Sequence, residues 1–141
     1  MIYLDTAALV KLIRPEPETA ALADWLDDHT GPLWVSSALI EVELPRALRR
    51  TDPTLLADVP AVIARVARYE IDETVRSIAA SYPDPDLRSP DAIHLATARE
   101  VFGHRLTAFV SYDRRLLAAA AAAGLATISP GAPSAGAHAV A

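Results

Sequence analysis

Acidic residues at the ends of predicted strands and helices are the side chains of this chain best suited to chemistry. Asp5 and Asp113 each follow a short apolar run, Asp91 opens a predicted helix, and Glu43 lies in the early turns of another. Carboxylates that lie close together repel one another and need a cation between them. Their oxygens suit hard divalent ions, so the pattern predicts a Mg²⁺ or Mn²⁺ site. An ion held there acidifies bound water and screens a phosphodiester, which is the chemistry of a phosphodiesterase.

Alternating strands and helices must position these acids. The predicted strands are the apolar runs at residues 2–4, 33–35, 69–71, 106–110 and 126–128. Helical periodicity separates them, which predicts an α/β fold of three layers, with a central parallel five-stranded sheet and helices on both faces. The strand that ends before Asp5 is expected at the centre of the sheet. Residues 129–141 are rich in Pro, Gly, Ser and Ala and are expected to form a flexible tail.

This fold predicts that the acids converge on one edge. Asp5 and Asp113 follow strands, and Glu43 follows the second strand by a few residues. The helix that Asp91 opens runs back into the fourth strand, so its start lies at the same carboxyl edge. Ligands bind at that edge in open α/β sheets. The four carboxylates are therefore candidates for one site.

Each acid also has a plainer structural interpretation. Asp5 could simply cap the following helix, and Asp91 and Asp113 lie in first turns, where acids are favoured by the helix dipole. Glu41 and Glu43 point about 200° apart around their helix, so at most one of them faces the site. Periodicity favours Glu43 but leaves the choice open.

Neighbouring cationic and imidazole side chains are open to two interpretations as well. His94 lies one turn into the Asp91 helix, where it could bind a metal or pack between layers. Arg46, Arg49 and Arg50 lie along or beside the Glu43 face. They are either contacts to an RNA backbone or solvated surface residues.

Composition excludes several classes of protein. The 141 residues are 52% hydrophobic and 22% charged, which is typical of one globular domain. The absence of cysteine excludes disulfides, thiolate metal sites and cysteine nucleophiles. No apolar run approaches the length of a membrane span, and no basic leader is apparent, so a soluble cytoplasmic protein without membrane partners is expected. The net charge of −5 argues against nucleic-acid binding through overall basicity, but not against a metal-dependent enzyme.

Four segments together carry a resemblance to a known family: Leu4-Asp5-Thr6, residues 35–44, residues 87–96 and residues 109–116. They are similar to the acidic blocks of PIN-domain ribonucleases, and most of all to the VapC-type toxins of bacterial toxin-antitoxin pairs. The resemblance extends over residues 1–128. It implies a PIN-like nuclease domain there.

The resemblance also implies an activity and partners. The activity is that of a Mg²⁺- or Mn²⁺-dependent endoribonuclease, which is usually a homodimer. A cognate VapB-type antitoxin holds the enzyme inactive, and the tail of the antitoxin enters the acidic groove. It selects Glu43 over Glu41. The residues that it assigns to metal binding and catalysis are Asp5, Glu43, Asp91 and Asp113, with supporting hydroxyls on Thr6 and Ser111.

Other functions on a similar scaffold fit less well. An aspartyl-phosphate phosphatase needs a second acid two residues after the first, where this chain has Ala7. A receiver-like signalling module needs a lysine after a late strand, but the only lysine is Lys11. A non-catalytic acidic α/β interaction domain remains the alternative to an enzyme.

Two apolar helix faces are candidates for a dimer or antitoxin surface. One carries Leu22, Trp25 and Leu26, and the other carries Leu55, Leu56 and Val59.

Overall fold

The computed structural model describes residues 1–134 and contains five strands and seven α-helices in that range. The strands are β1 (Ile2–Leu4), β2 (Trp34–Ser37), β3 (Ala67–Tyr69), β4 (Ala108–Val110) and β5 (Thr127–Ile128). The helices are α1 (Thr6–Ile13), α2 (Thr19–Asp28), α3 (Ile40–Thr51), α4 (Val59–Ala64), α5 (Glu73–Ser81), α6 (Ser89–Ala96) and α7 (Arg114–Ala122). A 3₁₀ helix covers Pro53–Asp58, and a π-helical segment covers Thr97–Phe102.

The sheet confirms the predicted fold class. All four strand pairs are parallel, and the spatial order is β3-β2-β1-β4-β5. Strand β1 therefore lies at the centre, with Tyr3 opposite Val35 on one side and Phe109 on the other. The carboxyl ends of β1 and β4 meet at one edge, which brings the residues after Leu4 and Val110 together.

Alternation along β1 divides the core between the two faces of the sheet. Ile2 and Leu4 are fully buried in a cluster formed with α1, α2, α3 and α4. Tyr3 points to the other face, where it packs with Leu95 of α6 and Leu116 of α7. Burial on both faces explains why this strand reads as a continuous apolar run. The three-layer arrangement follows.

The third strand differs from the prediction. It covers Ala67–Tyr69 and pairs with Val35–Ser37, whereas residues 69–71 were expected. All three residues of β3 are exposed, because the strand forms an edge of the sheet. An exposed edge strand needs no apolar run, so hydrophobic patterning cannot locate it. The fourth strand is also shorter than predicted and begins at Ala108.

The two helix faces that were candidates for partner surfaces pack largely against the core of this chain, and part of each remains half-exposed. Leu22, Leu26 and Val59 are buried, and they form one cluster with the sheet residues Ile2 and Leu4. The half-buried side chains of Trp25, Leu55 and Leu56 pack against the same cluster. Amphipathic periodicity shows that a helix has an apolar face, but it does not show whether the sheet of the same chain already covers that face.

The segment after β5 contacts the domain where the structure describes it. The Ser129 hydroxyl donates to the Ser111 carbonyl over 2.6 Å, and the Tyr112 hydroxyl donates to the Pro130 carbonyl over 2.8 Å. The flexible tail expected at residues 129–141 lies beyond residue 134 for more than half its length, outside the described residues. Within residues 1–134, no helix is long and apolar enough to cross a membrane.

Candidate active site

Asp5 lies at the carboxyl end of β1 and begins α1. Its Oδ1 accepts a hydrogen bond from the Ala8 amide over 2.9 Å, which makes Asp5 the N-cap of the helix. Its Oδ2 accepts a short hydrogen bond from the Ser111 hydroxyl, which follows β4. The capping role and the site role therefore coexist in one side chain that is only 3% exposed.

Burial makes the Asp5 carboxylate costly to ionise. Desolvation raises the pKa of Asp5 to about 6, although His94 and the hydrogen bonds from Ser111 and Ala8 act to lower it. The charge of Asp91 adds to the raising effect. An acid held in this way at the end of the central strand is a strong candidate for a functional group.

Glu43 lies in the first turn of α3, and its side chain points toward α1. Its Oε1 accepts from the Thr6 hydroxyl over 2.8 Å and lies 2.7 Å from His94 Nε2. Burial opposes its ionisation, but the hydrogen bonds from His94 and Thr6, together with the charge of Arg88, lower the pKa of Glu43. Glu43 is thus held as a carboxylate.

Glu41 takes no part in this arrangement. Its carboxylate lies 2.6 Å from the Arg68 guanidinium of the edge strand β3, and its side chain is half exposed. The two glutamates point in different directions, as their spacing requires. The structure directs Glu43, not Glu41, toward the other acids.

His94 connects the site to the core. The side chain is buried, with Nδ1 2.8 Å from the Tyr3 hydroxyl and Nε2 2.7 Å from Glu43. The expectation of packing between layers describes its burial but misses the hydrogen bond to Glu43. The sequence signal was its position one turn after Asp91, which places it on the side of the helix that faces β1.

Asp91 is the acid whose carboxylate has the fewest hydrogen-bond partners in the described part of the chain. It lies in the first turn of α6, it is half-buried, and no hydrogen bond to its carboxylate occurs within residues 1–134. Burial raises the pKa of Asp91, and so do the charges of Asp113 and Glu43, while His94 and Arg88 lower it. Asp91 is therefore the acid on which the negative charge of the others acts most.

Asp113 begins α7 and is exposed. Its Oδ1 accepts from the amides of Arg115 and Leu116 over 2.9 and 3.0 Å, so it caps the helix as Asp5 caps α1. The Ser111 hydroxyl oxygen accepts from the Asp113 amide over 3.1 Å while donating to Asp5. Ser111 therefore links the first and the last acid.

The acidic side chains are not arranged as a preformed metal site. Within residues 1–134, no three acids or histidines are grouped closely enough to hold one ion as they stand. Like charges repel, and Asp5, Glu43 and Asp113 turn to separate hydrogen-bond donors of the protein. The donor set nevertheless fits a hard divalent ion, because it consists of carboxylates and because the charges of Asp113 and Glu43 raise the pKa of Asp91.

Three arginines that the sequence pattern did not identify as site residues line a groove beside Asp91 and Asp113. An open groove of about 450 Å³ is lined by Arg88, Asp91, Tyr112, Asp113, Arg114 and Arg115. The sequence signal was direct adjacency, since Arg114 follows Asp113 and Arg88 lies three residues before Asp91. By contrast, Arg46, Arg49 and Arg50 lie exposed on α3 and do not line this groove.

The Tyr112 side chain lines both this groove and a neighbouring pocket beside Lys11 and Glu16, and its contacts hold the ring in place. The ammonium group of Lys11 lies 4.5 Å from the centre of its ring. Lys11 is itself held by Glu16 and Glu18, at 2.6 and 2.9 Å. The ring is thus covered by a cation on one side, and its hydroxyl is bonded to Pro130.

A central parallel sheet, with acids directly after β1, in α3, in α6 and directly before α7, is the arrangement expected of a PIN domain. The family model of the PIN domain matches residues 2–122, and the chain belongs to that family. Proteins to which it is similar include VapC ribonucleases. The chain is 59% identical over 132 residues to Ribonuclease VapC35 of Mycobacterium tuberculosis (strain CDC 1551 / Oshkosh), an alignment that covers 93% of this chain and 98% of the relative.

Two further relatives from the same species match over nearly the whole chain. Ribonuclease VapC47 is 42% identical over 142 residues, which cover 94% of this chain and 98% of the relative. Ribonuclease VapC46 of strain ATCC 25618 / H37Rv is 38% identical over 129 residues, which cover 92% of this chain and 97% of the relative. The chain is therefore a PIN-domain protein of the VapC ribonuclease type.

Proposed function

We propose that this protein is the endoribonuclease toxin of a toxin-antitoxin pair and hydrolyses RNA phosphodiester bonds at the edge where the acids meet. The observation that carries the proposal is Asp91: a half-buried carboxylate, repelled by Asp113 and Glu43, at the wall of a groove that arginines also line. Such a mixture of charges suits a substrate whose phosphate binds arginine and whose scissile bond meets the acids. Membership of the VapC ribonuclease type supports RNA as that substrate.

The proposed metal ligands are Asp5, Glu43, Asp91 and Asp113, with Mg²⁺ or Mn²⁺ as the ion. A bound divalent ion supplies Lewis-acid chemistry, namely the acidification of water and the screening of phosphate charge. Other residues of the chain hold Asp5, Glu43 and Asp113 in position for the ion. Ser111 and the Ala8 amide fix Asp5, Thr6 and His94 fix Glu43, and the first turn of α7 fixes Asp113.

Arginines are proposed to hold the RNA backbone. Arg88 lies close enough to both Glu43 and Asp91 to lower their pKa values, so a phosphate bound by Arg88 lies near the acids. Arg114 and Arg115 line the same groove beyond Asp113. Arg46, Arg49 and Arg50, exposed on α3, are proposed as additional contacts to a longer RNA.

A cognate VapB-type antitoxin, a homodimeric state and a cytoplasmic location are part of the proposal, because they are what the family resemblance implies. Light scattering on the purified protein tests the dimer, and co-purification from cells that express the native operon tests the antitoxin. A monomer at tens of micromolar without any co-purified protein contradicts both.

Incubation of RNA with the purified full-length protein tests the activity. We expect cleavage with Mg²⁺ or Mn²⁺ and none in excess EDTA. Asp91→Asn should abolish cleavage and leave the fold intact, because it removes a charge that is repelled by its neighbours. If wild type and Asp91→Asn both leave RNA intact under all these conditions, the protein is a non-catalytic acidic interaction module instead.

A further inference from the structure

We infer that Tyr3 and His94 are positioning residues that hold one oxygen of Glu43 and leave the other oxygen directed to a bound cation. The inference rests on the proposed function only in taking a divalent cation as the ligand of Glu43. It concerns a chain of three side chains, the first two of them buried, which runs from the Tyr3 hydroxyl through the His94 imidazole to the Glu43 carboxylate.

The chain is rigid because each member belongs to a different packed element. Tyr3 lies in the central strand, fully buried, with its ring stacked on Phe109 at 5.1 Å between centroids. His94 meets the Tyr3 ring edge-on, at 5.9 Å and 87°. Glu43 belongs to α3, so the chain of hydrogen bonds runs from the sheet through α6 to the opposite layer.

The hydrogen bonds select the tautomer of His94. The Tyr3 hydroxyl is fully buried and lies 2.8 Å from Nδ1, where it can donate a hydrogen bond. A neutral imidazole that accepts at Nδ1 carries its proton on Nε2. That proton lies between Nε2 and Glu43 Oε1, 2.7 Å away, where the opposite tautomer would set a lone pair against a carboxylate.

The same geometry distinguishes the two oxygens of Glu43. Oε1 accepts from both Thr6 and His94, whereas within residues 1–134 no hydrogen bond reaches Oε2. Two hydrogen bonds to Oε1 restrict the rotation of the carboxylate, so its second oxygen is held in a narrow range of directions. Partners that orient ligands in this way are commonly found behind metal sites, and their loss costs about 10–100-fold in metal affinity.

A merely structural role for this chain predicts something different. If Tyr3 and His94 only fill the core, the Tyr3 hydroxyl contributes stability and nothing else. Tyr3→Phe keeps the stacking on Phe109 and removes the donor to Nδ1. It therefore separates packing from positioning. Phe102→Leu is the matched control, because Phe102 also packs on Tyr3, at 6.3 Å, but has no place in the hydrogen-bond chain.

The test uses the purified full-length protein and two measurements. Nitrogen-detected NMR of the metal-free protein reads the tautomer of His94, and calorimetric titration with MnCl₂ reads metal affinity. We expect wild type to hold the Nε2–H form. Tyr3→Phe and His94→Leu should each bind Mn²⁺ about 10-fold more weakly. His94→Gln, whose amide can still donate to Glu43, should recover part of the loss, and Phe102→Leu should lower the melting temperature without changing Mn²⁺ affinity.

Several results would overturn the inference. They are an Nδ1–H tautomer in the wild-type protein, equal Mn²⁺ affinity in wild type and both Tyr3→Phe and His94→Leu, or a loss in Phe102→Leu as large as theirs. The NMR reading remains informative if a variant folds poorly, because it is made on wild type. Wild-type protein that cleaves RNA while all variants bind Mn²⁺ equally refutes the positioning role alone. Wild-type protein that binds no Mn²⁺ refutes the proposed function and this inference together.

Discussion

Thr6 follows Asp5 in the sequence, but its hydroxyl donates to Glu43, with 2.8 Å between Oγ1 and Oε1. Ser111 likewise lies near one acid in the sequence and bonds another. It precedes Asp113 by two residues, but its hydroxyl donates to Asp5. Each hydroxyl thus supports an acid from a different element. These bonds tie α1 to α3 and the end of β4 to the end of β1, which makes the position of each acid depend on the packing of the whole sheet edge.

Thr6→Val should loosen Glu43, since the methyl group that replaces the hydroxyl cannot donate a hydrogen bond. A hydrogen bond to a charged, half-buried carboxylate is worth about 1.5 kcal/mol, and we expect a loss of that size in the free energy of unfolding, measured with urea in EDTA. Thr6→Ser keeps the donor and should lose less. Equal losses in the two variants would show that the Thr6 methyl group matters and the hydrogen bond does not.

Asp5→Asn should stabilise the metal-free protein in a pH-dependent way. The folded state binds the Asp5 proton more tightly than the unfolded chain does, because the pKa is raised from 3.8 to about 6. Wild-type stability therefore falls as the pH rises from about 4 to about 6, by up to about 3 kcal/mol, and then levels off. Asparagine removes this loss while its amide and carbonyl can still bond Ser111 and the Ala8 amide.

Urea unfolding of both proteins in EDTA, at several pH values from 4 to 7.5, measures this difference. The advantage of Asp5→Asn should grow up to about pH 6 and stay constant above it. Added MnCl₂ should stabilise wild type at pH 7.5 more than the variant. An Asp5→Asn protein that is less stable than wild type at pH 7.5 in EDTA would mean that the ionised carboxylate stabilises the fold.

Replacing the groove arginines should weaken RNA binding more than replacing those of α3. A triple change of Arg88, Arg114 and Arg115 to Gln removes three phosphate contacts. Affinity for single-stranded RNA falls with salt, and each phosphate contact makes the slope of log affinity against log salt steeper by about 0.7. The steepness should therefore decrease by about 2 in the triple variant. Fluorescence anisotropy with a labelled single-stranded RNA in EDTA measures binding without cleavage.

The matched control is the triple change of Arg46, Arg49 and Arg50 to Gln. It alters the net charge by the same amount, so any difference between the two triples reflects position and not overall charge. We expect a smaller change of slope, because these residues do not line the groove beside Asp91. An unchanged slope in the groove triple would contradict the proposed RNA path.

The positions of Asp5 and Asp113 could be predicted because the strands before them are buried on both faces and read as continuous apolar runs. Strand β1 lies at the centre of the sheet, as expected, and brings Asp5 to the shared edge. Patterning failed for β3, whose exposed residues carry no hydrophobic signal. Local signals therefore located the core strands and the edge strand β5, but misplaced the exposed edge strand β3.

The contacts between side chains were beyond the sequence. The resemblance placed the Thr6 hydroxyl beside Asp5, but the packing of α1 on α3 brings it to Glu43. His94 was identifiable as an imidazole near Asp91, whereas its bonds to Tyr3 and Glu43 depend on how three elements pack. Such long-range partners are fixed by tertiary structure, and no single-chain pattern encodes them.

RNA products should carry 5′-phosphate and 3′-hydroxyl ends. Cleavage through the ribose 2′-hydroxyl needs a base that reaches it, and His94 is unsuited, since it is 2% exposed and both ring nitrogens are bonded. Of the other histidines in residues 1–134, His29 and His104 do not line the groove. We therefore expect water, and not the ribose 2′-hydroxyl, to act as the nucleophile. A 2′-deoxy substitution at the cleaved nucleotide should leave the rate unchanged, and ligation-based sequencing should find the ends named. Products with 2′,3′-cyclic phosphate, or cleavage that persists in excess EDTA, would show that the acids do not act as proposed.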